Sequence, residues 1–331
     1  MKSSGTKTQS ALTNMRLMQV AFAFLTLISM MCVYRFVSVT TNPFADMPPT
    51  STQLIKRKLT IDGFPDAHKF VSEYDVQKSG HLYLLFVSSL DEDGNYWCSD
   101  CRRAKAPIER AFTRAPMDST LLEIYVGDRA EWKDMQNEFR QNQLFYIDNI
   151  PTVMRYDGNG NSSNMLTENF CLDKELLDYV FRVPTLITYR KNHVFMFYNA
   201  KDVIDYLDKY DNTYPLFINF ISGRHKFNGR LWCPFCDRAE VATMYYFNTT
   251  APDSAVMLKV IVSNSYEEWD STDNSFRNKE FGEKVLQLTG IPYLGRVSKN
   301  IETGKLHLEE FKTEFDQRTR LIRFYSGNTT I

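Results

Sequence analysis

The chain has 331 residues, of which 43% are hydrophobic and 24% are charged, the composition of a globular protein long enough for two domains. Its formal net charge of −1 gives no attraction for a polyanion, which argues against nucleic acid as a partner. Six cysteines are too few for a secreted disulfide scaffold, and four of them form two Cys-x-x-Cys pairs.

The N-terminal region contains a candidate membrane anchor. Residues 17–34 form an uncharged run between Arg16 and Arg35. As a helix this run would reach roughly 27 Å, close to the hydrocarbon thickness of a bilayer. The run is longer than the core of most signal peptides, and no convincing Ala-x-Ala cleavage site follows it. The sequence therefore predicts an uncleaved transmembrane signal anchor rather than a removed signal peptide.

The charges around this run predict its orientation. Three basic residues precede it, and no acidic residue occurs before Asp46. The positive-inside rule then predicts a cytosolic tail at residues 1–16 and places the rest of the chain in the endoplasmic reticulum lumen, elsewhere in the secretory pathway or outside the cell. Arg35 and the basic cluster at residues 56–58 oppose this orientation. A location at the cytosolic face or in the cytosol stays open as the alternative.

Residues 35–58 form a proline-containing stalk, and predicted strands and helices alternate after it. Short continuous apolar runs, such as the one at 81–87, are typical of central strands covered on both faces. In the first copy of the pattern the sequence predicts a strand at 58–62, a helix at 65–76, a buried strand at 81–87, an acidic loop with the first cysteine pair, and a helix at 102–114.

The same pattern recurs in the second half of the chain. It predicts a strand at 194–198, a helix at 201–210, a buried strand at 215–221, the second cysteine pair, and a helix at 237–247. Each copy continues with Ile-Pro, two strands and a closing helix, the first of these strands lying at 152–156 and 293–297. All four tryptophans fall at matching sites, Trp97 with Trp232 and Trp132 with Trp269. We interpret the chain as a tandem duplication of an α/β domain, at residues 59–183 and 184–331.

The two cysteine pairs have the pattern that dithiol chemistry requires. Cys98 and Cys101 lie in Asn-Tyr-Trp-Cys-Ser-Asp-Cys-Arg-Arg-Ala, and Cys233 and Cys236 lie in Arg-Leu-Trp-Cys-Pro-Phe-Cys-Asp-Arg-Ala. A thiol attacks as its thiolate, which the N–H groups at a helix N-terminus stabilise. Each pair follows a buried strand and precedes a predicted helix. On this interpretation Cys98 and Cys233 attack, while Cys101 and Cys236 resolve the mixed disulfide.

The residues around the two pairs differ, so we expect unequal sites. Asp100 places a negative charge beside Cys98, which opposes thiolate formation. Arg102 and Arg103 on the following turn partly offset it. The second pair encloses Pro234 and Phe235, which make it more apolar.

Two other interpretations of the cysteine pairs stay open at this point. Zinc bound by all four thiolates would have to bridge 131 intervening residues, whereas zinc ribbons usually separate their pairs by about 15–20. A metal bound within one copy needs two more ligands, for which His225 and Cys171 are the nearby candidates, and these do not correspond between copies. An inert pair, or a redox fold kept as a binding module, is the remaining interpretation.

Taken together, these residues resemble the thioredoxin superfamily and specifically the fourteen-kilodalton thioredoxin-related proteins. That family carries Trp-Cys-Pro-Asp-Cys, then a Trp-Lys-Asp segment, then Val-Pro-Thr. The first copy matches over about residues 59–182, with Trp97 to Cys101, Trp132-Lys133-Asp134 and Ile150-Pro151-Thr152. The second copy matches more loosely, with Trp232 to Cys236, Trp269 and Ile291-Pro292-Tyr293. It departs at Phe235, where the family has aspartate, and the first copy departs at Ser99, where the family has proline.

The resemblance implies two thioredoxin folds, each a central mixed sheet flanked by helices. It also implies cis-prolines at Pro151 and Pro292 beside the cysteines, and these prolines with Trp97 and Trp232 are the expected substrate-binding residues. No cofactor and no metal are expected.

The function predicted from the sequence is thiol–disulfide exchange of the protein-disulfide reductase type. The expected substrates are disulfide-containing proteins or small thiols, and the expected electron donor is thioredoxin reductase if the domains are cytosolic. The alternatives are a non-enzymatic adaptor that binds polypeptides, and a luminal disulfide oxidase or isomerase.

Overall fold

A computed structural model describes residues 55–184 and 187–327, which contain two five-stranded sheets. Strands β1 to β5 belong to the first domain, and β2, the apolar run predicted to be central, lies in the middle of its sheet. The strands are β1 Arg57–Asp62, β2 His81–Val87, β3 Ser119–Tyr125, β4 Thr152–Gly158 and β5 Asn161–Thr167.

The first sheet is mixed, with strand order β1-β3-β2-β4-β5. The pairs β1–β3 and β3–β2 are parallel, whereas β2–β4 and β4–β5 are antiparallel. In this register Leu84 of β2 lies between Leu122 of β3 and Met154 of β4. All three side chains are buried, because helices cover both faces of the centre of the sheet.

Helices of the first domain connect these strands, and their starts follow local capping chemistry. The Asp128 side chain accepts hydrogen bonds from the N–H groups of Ala130 and Glu131, and Glu131 completes a capping box. The helices are α1 Phe64–Glu73, α2 Val76–Ser79, α3 Ser99–Thr113, α4 Arg129–Lys133, α5 Glu138–Gln141 and α6 Lys174–Val180, with a 3-10 turn at Glu168–Leu172 before α6.

The second domain repeats this topology with the strand order β6-β8-β7-β9-β10. Its strands are β6 His193–Phe197, β7 Leu216–Ile221, β8 Val256–Ile261, β9 Tyr293–Lys299 and β10 Leu306–Glu310. Its helices are α7 Ala200–Lys209, α8 Pro234–Thr250, α9 Tyr266–Asp270, α10 Lys279–Lys284 and α11 Arg318–Ser326. The predicted duplication of a mixed-sheet α/β fold is thus confirmed.

Three predicted helix boundaries were wrong. The helix predicted at residues 65–76 ends at Glu73, where Tyr74 becomes extended and Asp75 caps the separate helix α2. Both helices that follow the cysteine pairs begin three residues earlier than predicted, at Ser99 and Pro234. They do so because the first cysteine of each pair is itself the N-cap.

The two domains pack against each other through α8 of the second domain, which contacts β5 and α6 of the first. One buried hydrophobic cluster contains side chains of both domains, among them Phe181 of the first and Tyr246 of the second. Polar contacts cross the same interface: the Ser162 N–H donates to the carbonyl of Asn228 at 2.9 Å. The domains therefore share part of one core.

Within residues 55–184 and 187–327, no helix is both long enough and apolar enough to cross a membrane. The predicted anchor at residues 17–34, the tail before it and most of the stalk at 35–58 lie outside the described residues.

Candidate functional site

The first cysteine pair lies where the loop after β2 enters helix α3. Cys98 is the N-cap residue, and its sulfur accepts a hydrogen bond from the Cys101 N–H at 3.2 Å. The Cys98 N–H in turn donates to the Ser88 hydroxyl at 3.2 Å. Cys98 retains 8% of its surface exposed and Cys101 none. The first thiol is thus the one that a substrate can reach.

The pKa values of the two thiols shift in opposite directions at this helix N-terminus. The pKa of Cys98 falls to about 7, first because the Cys101 side chain hydrogen-bonds to its sulfur and then because the N–H groups of Cys101 and Asp100 do. Burial and the Asp100 carboxylate oppose this shift without reversing it. Burial raises the pKa of Cys101 far above its usual value. Near neutral pH about half of the Cys98 side chains are therefore thiolates, while Cys101 stays protonated.

The second pair repeats this geometry. Cys233 is the N-cap of α8, its sulfur accepts from the Cys236 N–H at 3.4 Å, and its own N–H donates to the Ser222 hydroxyl at 3.1 Å. The hydrogen bond from Cys236 lowers the pKa of Cys233, and burial raises the pKa of Cys236 well above its usual value. Both copies therefore combine an activated thiol with a buried partner.

A cis-proline faces each attacking thiol, as the family resemblance implied. The Ile150-Pro151 and Ile291-Pro292 bonds are both cis. The Cys98 sulfur lies 3.7 Å from the carbonyl oxygen of Ile150, and the Cys233 sulfur lies 3.7 Å from that of Ile291. The structure thus places the cis Ile-Pro bond of each copy beside its cysteine site.

The tryptophan before each pair is half-buried and anchored by its indole N–H. Trp97 donates to the carbonyl of Gly127 at 3.0 Å, and Trp232 donates to that of Ser263 at 3.1 Å. The Arg129 guanidinium lies 4.9 Å from the Trp97 ring centre, which is cation–π geometry. Each indole is therefore held in place directly before its attacking cysteine.

Comparison with known proteins identifies the family to which this chain belongs. The model of the family described as "Thioredoxin domain-containing protein 17-like, thioredoxin domain" matches the chain twice, at residues 60–183 and 194–315. The chain belongs to this thioredoxin family. Mouse thioredoxin domain-containing protein 17 is 28% identical over 124 residues, which are 38% of this chain and 94% of that protein. The thioredoxin-like protein Clot of Arabidopsis thaliana is 32% identical over 85 residues, 25% of this chain and 63% of that protein.

The chain is also weakly similar to two solved structures of thioredoxin-domain proteins. Full-length ERdj5 matches with a TM-score of 0.29 and 8% identity, over 79% of this chain and 31% of that one. The first two thioredoxin domains of Saccharomyces cerevisiae Eps1p match with a TM-score of 0.25 and 12% identity, over 80% of this chain and 96% of that one.

The two thioredoxin domains differ behind their cysteine pairs. In the first, the buried Glu123 carboxylate accepts a hydrogen bond from the Tyr96 hydroxyl and forms an ion pair with Lys58 at 2.8 Å. In the second, Asp237 follows Cys236 directly and lies 3.4 Å from the guanidinium of Arg230, with both side chains buried. The prediction that the two sites are unequal in reactivity stays a prediction, and these buried carboxylates add to the differences seen in the sequence.

Sequence reasoning missed the serines that fix the backbone of each pair. Ser88 and Ser222 are fully buried and accept the N–H of the attacking cysteine. A signal was available, because each serine comes directly after the buried strand in its own copy, at Val87-Ser88 and Ile221-Ser222.

The remaining candidate ligands do not form a metal centre with the pairs. Cys171 is fully buried, with its sulfur 3.4 Å from the carbonyl oxygen of Leu166, and burial raises its pKa. His225 stacks on Phe227 in the second domain at 4.3 Å between ring centres. Within the described ranges, no three His, Cys, Asp or Glu side chains are grouped so that they could hold a metal ion.

Proposed function

We propose that the chain is a thiol–disulfide oxidoreductase of the protein-disulfide reductase type, with two dithiol sites. The observation that carries this proposal is that the Cys98 sulfur accepts the Cys101 N–H at the start of a helix while Cys101 is fully buried. This arrangement agrees with a pKa of about 7 for Cys98 and a raised pKa for Cys101. The same directions hold at Cys233 and Cys236. Membership of a thioredoxin family supports it.

The reaction follows from the order in which the thiols ionise. The Cys98 thiolate attacks one sulfur of a substrate disulfide, forming a mixed disulfide and releasing the other sulfur as a thiolate. Cys101 then loses its proton and attacks Cys98, which closes the Cys98–Cys101 disulfide and releases the second substrate thiol. Two electrons pass from the dithiol to the substrate. Cys233 and Cys236 act in the same way, and the chain's own sulfurs supply all the chemistry.

The residues around the thiols supply substrate contact. We assign substrate binding to Pro151 and Trp97 at the first site and to Pro292 and Trp232 at the second. The support is that in each copy the carbonyl before the cis-proline lies 3.7 Å from the attacking sulfur, and the tryptophan directly precedes the attacking cysteine. The proposed substrates are disulfide-containing proteins or small thiols.

The electron donor depends on the side of the membrane. The charges around residues 17–34 favour an anchored protein with luminal or extracellular domains. A donor other than thioredoxin reductase is required there. For domains at the cytosolic face or in the cytosol, the proposed donor is thioredoxin reductase.

Titration against glutathione buffers tests the proposal. The full chain is used twice, with Cys98 and Cys101 changed to serine in one protein and Cys233 and Cys236 in the other. We expect each remaining pair to form an intramolecular disulfide. A potential near about −270 mV matches a reductant, and one near about −180 mV matches a luminal isomerase or oxidase. If neither pair forms an intramolecular disulfide in any glutathione buffer, the oxidoreductase proposal is wrong, and the chain is better explained as a polypeptide-binding adaptor.

A further inference from the structure

A cleft of about 600 Å³ opens beside the second dithiol site, and both domains form its walls. The second domain contributes Phe235, Arg238 and Pro292, together with the segment 310–316. The first domain contributes its 3-10 turn through residues 167–170. A polypeptide bound beside Pro292 therefore contacts the neighbouring domain as well as the one that holds the reacting thiols.

The turn from the first domain has an unusual backbone at Glu168. Its φ of 51° lies in the left-handed region, which glutamate rarely adopts and which persists where the surrounding structure enforces it. The Glu168 N–H donates to the carbonyl of Pro151 at 2.8 Å. The Glu168 carboxylate lies 3.8 Å from the guanidinium of Arg238 in the second domain. This backbone therefore holds a carboxylate at the wall of the second site's cleft.

The charged side chains of the cleft are mostly acidic. Carboxylates outnumber cations four to two, which gives the lining a net charge of −2. Such a lining attracts a cationic side chain and repels an anionic one. The carboxylates are Glu168, Glu310, Glu314 and Asp316, and the cations are Arg238 and Lys312.

The negative charge of Glu168 is only partly compensated. Arg238 is its one ion-pair partner among the residues that the structure describes, and this guanidinium also lies over the ring of Phe235 at 4.9 Å. Burial, followed by the carboxylates of Asp100 and Asp316, raises the pKa of Glu168 against the effect of Arg238. A ligand cation placed here would relieve that excess of negative charge.

An apolar surface adjoins the acidic one. The Phe235 side chain is 60% exposed although it lies within the second cysteine motif. Phe170, Phe311 and Phe315 also line the cleft. Covering an exposed aromatic ring with an apolar ligand side chain is favourable. The cleft therefore offers an apolar contact and an anionic contact close to Cys233.

We propose that this cleft selects, for the second dithiol site, extended polypeptides whose disulfide cysteine has an apolar and a basic residue beside it. Glu168 of the first domain is the specificity-determining residue. The inference rests on the proposed function, since it names a substrate class for the same site. The Cys233–Cys236 dithiol is oxidised to its disulfide as the substrate disulfide is reduced.

Single-turnover reduction of synthetic peptides tests this specificity. The full chain with Cys98 and Cys101 changed to serine is reduced with dithiothreitol and desalted. The probes are Leu-Cys-Arg and Leu-Cys-Glu peptides, each with its cysteine in a mixed disulfide with 5-thio-2-nitrobenzoate, whose release is followed by absorbance. We expect the arginine peptide to react about fivefold faster, as one solvent-accessible ion pair allows. High salt should bring the ratio of the two rates towards one.

Substitutions at Glu168 test whether this residue causes the difference between the rates of the two peptides. Glu168→Gln should lower the ratio towards one, and Glu168→Arg should reverse it. Glu302→Gln, an exposed site outside the cleft, is the matched control and should keep the parent ratio. Glu168→Gln alone decides if the arginine variant does not fold.

The two proposals fail in different ways. The specificity is overturned if the parent reduces the two peptides at similar rates, or if the Glu168 variants keep the parent's ratio of rates. In either case the reduction of both peptides would still support the oxidoreductase proposal. Release from neither peptide overturns reduction at the second site itself.

Discussion

Cys98 and Cys101 lie at different depths and are joined by a hydrogen bond from the Cys101 backbone to the Cys98 sulfur. The sulfur of Cys98 accepts from the Cys101 N–H at 3.2 Å, so the charge of a thiolate is stabilised at the N-cap. Cys101 has no exposed surface, so a charge there loses its hydration. This difference is the physical basis for proposing that Cys98 attacks and Cys101 resolves.

Alkylation by iodoacetamide should report the ionisation of Cys98. In a chain in which Cys233 and Cys236 are serine, the rate at Cys98 should rise with pH to a midpoint near 7, since its pKa is about 7. Asp100→Asn should move the midpoint to lower pH, because the Asp100 carboxylate raises the Cys98 pKa.

The control for this experiment is Asp93→Asn, which removes an exposed carboxylate from the loop before the motif. It should leave the midpoint in place. A midpoint near 8.5 in the parent chain, the value of an unperturbed thiol, would contradict the helix-cap explanation.

Removing the resolving thiols should trap substrates. Cys101→Ala or Cys236→Ala leaves the mixed disulfide with no intramolecular thiol to release it, so disulfide-linked adducts should accumulate on non-reducing gels. Cys171→Ala, which also removes a buried thiol, is the control and should accumulate none. Absence of adducts from both resolving-cysteine variants counts against the exchange mechanism.

At the scale of elements, the central strands could be predicted from the sequence because they need only local apolar runs. The predicted strand 81–87 is β2 itself, and the predicted strand 215–221 differs from β7 by one residue. The helix predicted at 65–76 could not be bounded correctly, since its apolar period continues past Tyr74, where the backbone becomes extended. Asp75 then caps a separate helix. A single aspartate within an apolar period does not by itself indicate that one helix ends and another begins.

The Trp97 indole donates to the carbonyl of Gly127, which lies two residues before the short helix α4. The capping of α4 should therefore stabilise this part of the site. Asp128→Ala removes the cap that holds Ala130 and Glu131. It should lower the free energy of unfolding by about 1 kcal/mol, measured by urea denaturation. Exposed Glu92→Ala is the control and should change it by less than about 0.5 kcal/mol. Equal losses in the two variants would mean that the capping box contributes little.

At the scale of the molecule, sequence predicted a duplication but not how the copies meet. Arg230 of the second motif is buried at the interface, where its guanidinium lies 3.3 Å from the Met165 sulfur and donates to the carbonyl of Tyr146. Glu168 reads as part of the first domain alone, yet it lines the second site. Such contacts depend on the relative placement of two domains, which no local pattern in either copy records.

The buried Asp237 should make stability depend on pH. Burial raises its pKa from 3.8 to about 6 even though Arg230 opposes the shift. Between pH 4 and 6 the folded chain therefore holds a proton that the unfolded chain has released, and this stabilisation is lost as pH rises through 6. From pH 5 to 7 the loss should be about 1 kcal/mol.

Urea denaturation at pH 5, 6 and 7 isolates this effect by comparison of variants. The side chain of Asp237→Asn cannot ionise. The free energy of unfolding of this variant should therefore not show the fall between pH 5 and 7 that Asp237 causes in the parent. Asp93→Asn, which removes an exposed carboxylate, should retain the parent's dependence. Parallel curves for the parent and Asp237→Asn would mean that Asp237 is already ionised at pH 5. The ion pair with Arg230 would then outweigh the cost of burying the carboxylate at the domain interface.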